Sequence, residues 1–333
     1  MKDLNQNIFK NQSIVVTGGT GMIGQYLIEL LKKSNPKNIT SVSMDDRQID
    51  GVSCVKEDLR YLDYCIRVCN KADYIFHLCG TKGSPKMCAE KPYSFSVPMM
   101  QFNANMIEAF KQSDAQAMLV TSSVGVYAPD EIFYEDDVWK TFPSENDKFA
   151  GWAKRMLELN VEAYNKEYGG RPISIVRPAN VYGRYDNFNP ATAMVIPSLI
   201  ARVVGGENPL KVWGDGNQLR DFIHAHDVAR GMIHCVENKI TEPVNLGSGT
   251  GILIREIVED INIAYMGLTK KTDLQVEWDT SKPSGDAKRV MNMDRMKGHG
   301  FELSVNLEDG IWDTMKWYME NKNIVEKRYD VFK

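Results

Sequence analysis

The sequence predicts an α/β fold, a doubly wound parallel sheet (Rossmann) joined to a smaller C-terminal substrate-binding domain, on three observations. Short β-branched runs alternate with longer stretches that are apolar at helical spacing, and such alternation buries both faces of a parallel sheet under helices. A glycine-rich turn links the first run to the first helix. After Tyr182 the alternation loosens into segments punctuated by Pro and Gly.

The elements follow in order. Ser13–Thr17 (SIVVT) is a strand that stops at glycines, and residues 22–33 form a helix through Ile23, Leu27, Leu30 and Leu31. The strand pattern returns at 39–44, 73–78, 117–121 and 173–177, with helices at 99–110 and 152–168 between. Residues 244–246 read as one more strand of the same sheet. The expected domains are therefore discontinuous: a dinucleotide-binding domain over 1–182 that also receives roughly 222–250, and a substrate domain from 183–221 and 251–333. No internal repeat or low-complexity linker interrupts them.

With 333 residues, 43% of them hydrophobic, the chain can bury a large core. A formal net charge of -4 provides no basic field for a polyanion, so nucleic acid is not an expected partner. The opening MKDLNQNIFKNQ lacks an apolar signal core, and no apolar run approaches the roughly 20 residues that span a bilayer, so a cytoplasmic protein without membrane contact is expected. Six cysteines (Cys54, Cys65, Cys69, Cys79, Cys88, Cys235) form no CxxC pair, and Cys65 and Cys69 have no nearby histidine. Reduced, buried thiols and no metal site are expected. His224 and His226, in HAH, sit beside a strand-like run and suit capping or packing.

TGGTGMIG places Gly18, Gly21 and Gly24 between strand and helix, with Met22 and Ile23 at the helix start. The glycines allow a tight turn, close approach of a pyrophosphate to the backbone, and close helix packing, while the helix N-terminus attracts phosphate. Asp45 and Asp46 end the second strand, where a carboxylate accepts from the ribose diol and repels a 2′-phosphate. NAD is favoured over NADP, although Arg47 has the chemistry to take that phosphate.

Further motifs stand in order: EDL at 57–59, FHLCG at 76–80, SSVGVY at 122–127, AGWAKRMLE at 150–158, RPANVYG at 177–183 and VWGDGNQLRDF at 212–222. From residue 13 to near Tyr318 the chain resembles the extended short-chain dehydrogenase/reductases that act on nucleotide sugars (NAD-dependent epimerase/dehydratases). WDTSKPSG at 278–285 is most similar to their GDP-sugar branch, that of GDP-fucose synthase and GDP-mannose 3,5-epimerase. The resemblance implies that Asp58 and Leu59 lie against adenine, that Leu78, Gly80, Lys82 and Thr121 line the cofactor, and that Lys154 holds the nicotinamide ribose. It implies Pro178, Asn180 and Val181 near the nicotinamide, with Asn180 shared with the sugar, and Ser123 on the reacting hydroxyl. Arg202 and Arg220 would clamp the diphosphate, for which guanidinium forks are suited. Trp213 would pack on the nucleoside, and Arg289 is a further phosphate candidate.

In the resembled family a tyrosine four residues before the lysine takes the proton as hydride leaves the same carbon. Here that position is Ala150. Loss of a general base typically costs ~10²–10⁴ in rate. A single engineered change that traps substrate beside cofactor is the preferred explanation, and a naturally inactive or rewired member is the other. If the helix were displaced in this reading, Tyr127 or Tyr164 would be the base. The acid/base Cys and His of the 3,5-epimerising relatives are replaced by Gly125 and Met194, which cannot shuttle protons. Val124 and Gly125 likewise leave no carboxylate pair for 4,6-dehydration. The expected activity is NAD-dependent oxidation at sugar C4, as a 4-dehydrogenase or 4-epimerase of a GDP-sugar, impaired by Ala150. The alternatives are a 4-keto nucleotide-sugar reductase of the GDP-fucose synthase type and a non-catalytic nucleotide-sugar or dinucleotide sensor. Ser284 stands where the fucose-synthase pattern has an acid, which leaves the base open. The apolar helices at 99–110 and 152–168 imply, by the same resemblance, a homodimer or higher homo-oligomer.

Overall fold

The computed structural model describes residues 6–81, 89–271, 274–281 and 287–322. β1 (Ser13–Thr17) is buried along its whole length, and its alternate side chains serve opposite faces: Ile14 and Val16 in one apolar cluster, Val15 in another. α1 (Met22–Lys32) follows the glycine turn, then β2 (Asn38–Ser43), β3 (Ser53–Lys56), α2 (Leu62–Cys69) and β4 (Tyr74–His77). α3 (Pro92–Gln112) begins earlier than the apolar spacing predicts and continues through Pro98. Pro92 occupies the first turn, where a missing N–H costs nothing, so only Pro98 removes a helical bond.

β5 (Ala117–Thr121), β6 (Ile132–Phe133), α4 (Lys148–Tyr168), β7 (Ile173–Pro178) and β8 (Asn180–Tyr182) come next, followed by α5 (Val195–Val204), β9 (Leu210–Trp213), β10 (Leu219–Arg220) and β11 (Phe222–His224). The chain ends through α6 (Ala225–Glu237), β12 (Val244–Leu246), β13 (Ile252–Leu253), α7 (Ile254–Thr269), β14 (Val276–Asp279), β15 (Lys288–Met291), α8 (Asp294–Gly298) and α9 (Leu307–Asn321).

The main sheet has the order β12-β7-β5-β4-β1-β2-β3 and is parallel throughout. α1 and α6 bury one face, with Leu27, Leu31, Val228 and Met232 over Ile14, Phe76 and Leu119. α2, α3 and α4 bury the other, with Cys69, Phe110 and Leu157 over Val15, Ile75 and Val120. A third cluster joins α5, α7 and α9 through Ile200, Ile257 and Ile311. Beside it lies a four-stranded sheet, β13-β10-β15-β6, which draws Ile132–Phe133 from the first half of the chain. Among the described residues no helix is long and apolar enough to cross a membrane, and no group of His, Cys, Asp and Glu could hold a metal. Cys65, Cys69 and Cys235 are buried free thiols, whereas Cys54 and Cys79 are part-exposed, in departure from the expected burial. Cys88 lies outside the described residues. His224 caps α6, accepting from the His226 N–H at 3.4 Å.

Candidate active site

The carboxyl ends of β5, β4 and β1 lie side by side at one edge of the main sheet, the edge at which open parallel sheets bind ligands. Gly18 turns with φ of +71°, a conformation that L side chains resist, and its N–H donates to the Val42 carbonyl at 2.7 Å. A Cβ on Gly24 would stand 2.5 Å from the Gly18 oxygen, so α1 can start this close to β1 only with glycine there. Gly21 caps α1, and Met22 and Ile23 follow with the first backbone N–H groups of the helix, which have no intrahelical partners. This cradle fits a pyrophosphate.

At the end of β2, Asp45 Oδ2 accepts from Thr20 Oγ1 at 2.8 Å, and Asp46 is ion-paired with Lys56 at 2.8 Å in an exposed position. The Arg47 guanidinium lies 5.7 Å from the centre of the Tyr185 ring. Thr20, Ser43, Asp45, Asp46, Arg47 and Lys56 line a small cleft here. Asp58 is held below the usual carboxylate range by its hydrogen bonds from Arg60. The side chain of Leu59 is buried in the core, which leaves only its backbone for a ligand.

Lys154, on α4, is buried, and its Nζ donates to the Thr121 carbonyl at 2.6 Å. A methyl group on Gly80 would lie 3.7 Å from that Nζ, so Gly80, Thr121 and Lys154 meet in space although 74 residues separate the first from the last. Thr121 Oγ1 is buried with no hydrogen-bond partner among the described residues. An orphaned hydroxyl beside a buried ammonium fits a site that expects a polar ligand. Burial lowers Lys154 to about 8, against the opposing influence of Cys79 and Glu158. Leu78 follows β4 with its N–H donating to the Thr17 carbonyl at 3.1 Å; Lys82 lies outside the described residues.

Ser123 begins a single 3₁₀ turn, its Oγ accepting from the Gly125 N–H at 3.1 Å. A Cβ on Gly151 would strike the Gly125 carbonyl, which brings the α4 turn carrying Ala150 against the Ser123 loop. Position 150 itself brings a methyl group to this junction, not a phenol. Tyr127 is no substitute: its hydroxyl is buried, donates to Asn245 Oδ1 at 2.6 Å, accepts from Arg177 Nη1 at 3.0 Å, and is pushed well above its ordinary range by burial. Tyr164 packs against Phe110, ten residues or about 15 Å further along α4 than Lys154.

The substrate candidates are distributed over six elements. Pro178 ends β7, Val181 lies in β8, and Asn180 Nδ2 donates to the Asp221 carbonyl at 2.8 Å. Arg220 and Arg289 stand directly in register on the neighbouring parallel strands β10 and β15. Arg202, on α5, is ion-paired with Glu207, with Nε to Oε2 at 2.7 Å. Trp213 is exposed at the end of β9, and Met194 precedes α5.

Two interactions escaped the sequence reading. Glu158 and Arg177 form a fully buried bidentate pair at 2.6 and 3.0 Å, and Ser122 Oγ donates to the same carboxylate, fixing the strand end beneath Ser123. Asp147, at the start of α4, accepts from Arg289 Nη1 at 2.7 Å. Its spacing of three before Ala150 and seven before Lys154 was the available signal, because residues so spaced share a helix face.

Known proteins resemble this chain over most of its length. Residues 14–247 match the model of the NAD dependent epimerase/dehydratase family. GDP-L-fucose synthase of Escherichia coli (strain K12) is 25% identical over 94% of this chain and 98% of its own. GDP-L-colitose synthase of Yersinia pseudotuberculosis is 27% identical over 93% and 99%. A solved GDP-L-fucose synthetase of Naegleria fowleri, bound to NADP, superposes with a TM-score of 0.79 at 25% identity, covering 96% of each chain.

Proposed function

The chain belongs to the NAD dependent epimerase/dehydratase family, and on that premise we propose that it acts as a reductase of a 4-keto nucleotide sugar, of the GDP-fucose synthase type. The carrying observation is similarity to GDP-L-fucose and GDP-L-colitose synthases over nearly the whole of both chains. It favours reduction at C4 over the 4-dehydrogenase or 4-epimerase outcome that the sequence motifs suggest. Gly125 and Met194 argue that C3 and C5 are left untouched, since neither can carry a proton.

A bound nicotinamide dinucleotide supplies the hydride. Gly18, Gly21 and the start of α1 are proposed to hold its pyrophosphate, Lys154 its nicotinamide ribose, and Asp45 its adenosine ribose, which favours NAD over NADP. Ser123 would hydrogen-bond the sugar oxygen at the reacting carbon. Arg220, with Arg289 in register beside it, would meet the diphosphate, and Trp213 the nucleoside. Ala150 leaves proton delivery to water, so turnover is expected to be slow. The exposed Met100, Met156 and Leu159 on the paired helices α3 and α4 support a homodimer.

The test is NADH or NADPH oxidation by a GDP-linked 4-keto hexose in heavy water, with product analysis by NMR. Change at C4 without deuterium at C3 or C5 is expected. Deuterium at either carbon, or no reduction even after a tyrosine is placed at position 150, would reject this reading.

A further inference from the structure

We propose that Asp147 contacts the sugar and helps determine its identity, accepting hydrogen bonds from hydroxyls that lie between the diphosphate and the reacting carbon. The inference rests on the nucleotide-sugar reading above and names a residue of that site.

Three contacts locate Asp147. A methyl group built on Gly125 would stand 3.5 Å from both Asp147 Cγ and Ser123 Oγ, so carboxylate and hydroxyl border one small space, which a side chain at 125 would fill. On its other side Asp147 Oδ2 receives Arg289 Nη1 at 2.7 Å, and Arg289 is the register partner of Arg220 across β10 and β15. Along α4, Asp147 lies one turn before Ala150 and two before Lys154. The carboxylate thus joins the two ends of the proposed substrate, the arginine pair at the diphosphate and Ser123 at the reacting carbon. A hexose held at both ends passes along it.

The chemistry suits the position. A carboxylate can accept from two neighbouring hydroxyls, and such charge-assisted bonds are stronger than neutral ones. Arg289 occupies one oxygen of the pair and orients the other. Where the 3,5-epimerising relatives have a cysteine, Gly125 leaves the approach to Asp147 open. The competing role is purely structural, an ion pair that ties α4 to β15.

The two roles separate in a binding experiment on the full chain saturated with NAD, using GDP-L-fucose and GDP as probes in calorimetric titrations. Asp147→Ala is expected to weaken GDP-L-fucose by roughly 10- to 100-fold, the worth of hydrogen bonds to a charged group, and to leave GDP within about twofold. Asp147→Asn, which preserves shape and some hydrogen bonding, should fall between, and it carries the test if the alanine variant does not fold. Equal losses for both ligands, or no loss for either, would overturn the role of Asp147. Failure of the unmodified protein to bind either probe would overturn the nucleotide-sugar reading itself, and this inference with it.

Discussion

Replacing Lys154 with methionine in cofactor-free protein isolates a charge that folding alone disfavours. Burial lowers the ammonium from its ordinary 10.5 to about 8, which corresponds to roughly 3 kcal/mol of unfavourable charge burial at pH 7. Methionine has similar reach and no charge, and what it chiefly loses is the hydrogen bond to the Thr121 carbonyl, worth about 1–2 kcal/mol. The variant should therefore be about 1–2 kcal/mol more stable than its parent at pH 7, although it lacks the ribose anchor. The difference must also depend on pH. Because the folded-state value lies below the unfolded one, the parent gains stability as pH rises from about 8 toward 10.5, where the unfolded chain holds a proton that the folded chain has released. Between pH 7 and 9.5 the advantage of methionine should shrink by about 2 kcal/mol. Urea unfolding of both proteins at both pH values measures it. A variant less stable at pH 7, or a difference that stays constant, would refute the claim that Lys154 is held against its hydration and kept for its ligand.

Other consequences can be measured directly. Ala150→Tyr should raise the rate of nicotinamide oxidation by ~10²–10⁴, and an unchanged rate would point to the sensor class. Glu158→Ala strands a buried guanidinium at Arg177 and should cost about 3–5 kcal/mol in urea unfolding, whereas a loss below about 1 kcal/mol would mean that water or Tyr127 takes over the charge. Gly24→Ala puts a methyl group 2.5 Å from the Gly18 oxygen and 2.6 Å from the Gly19 Cα. NADH titration followed by fluorescence should then show binding abolished, and retained affinity would count against the cradle.

Much of the sheet was legible because it is locally written. Ser13–Thr17, Ala117–Thr121 and Val244–Leu246 form strands on the predicted residues, since short apolar runs buried on both faces need no distant partner to declare themselves. The glycine turn is equally local, being dictated by backbone sterics within eight residues. β3 was missed because its SCVK run is a half-exposed edge with little apolar signal, and the start of α3 was missed because Pro98 reads as a break. What the chain alone determined is therefore the parallel sheet, the dinucleotide turn and the absence of a phenol at position 150. Only the tertiary structure decided that Arg289 reaches Asp147 across 142 residues, that Thr121 meets Lys154, and that Tyr127 is committed to Arg177 and Asn245. The physical reason is that hydrogen bonds and ion pairs leave no periodic trace in a sequence, and are formed only when packing brings remote polar groups together out of water.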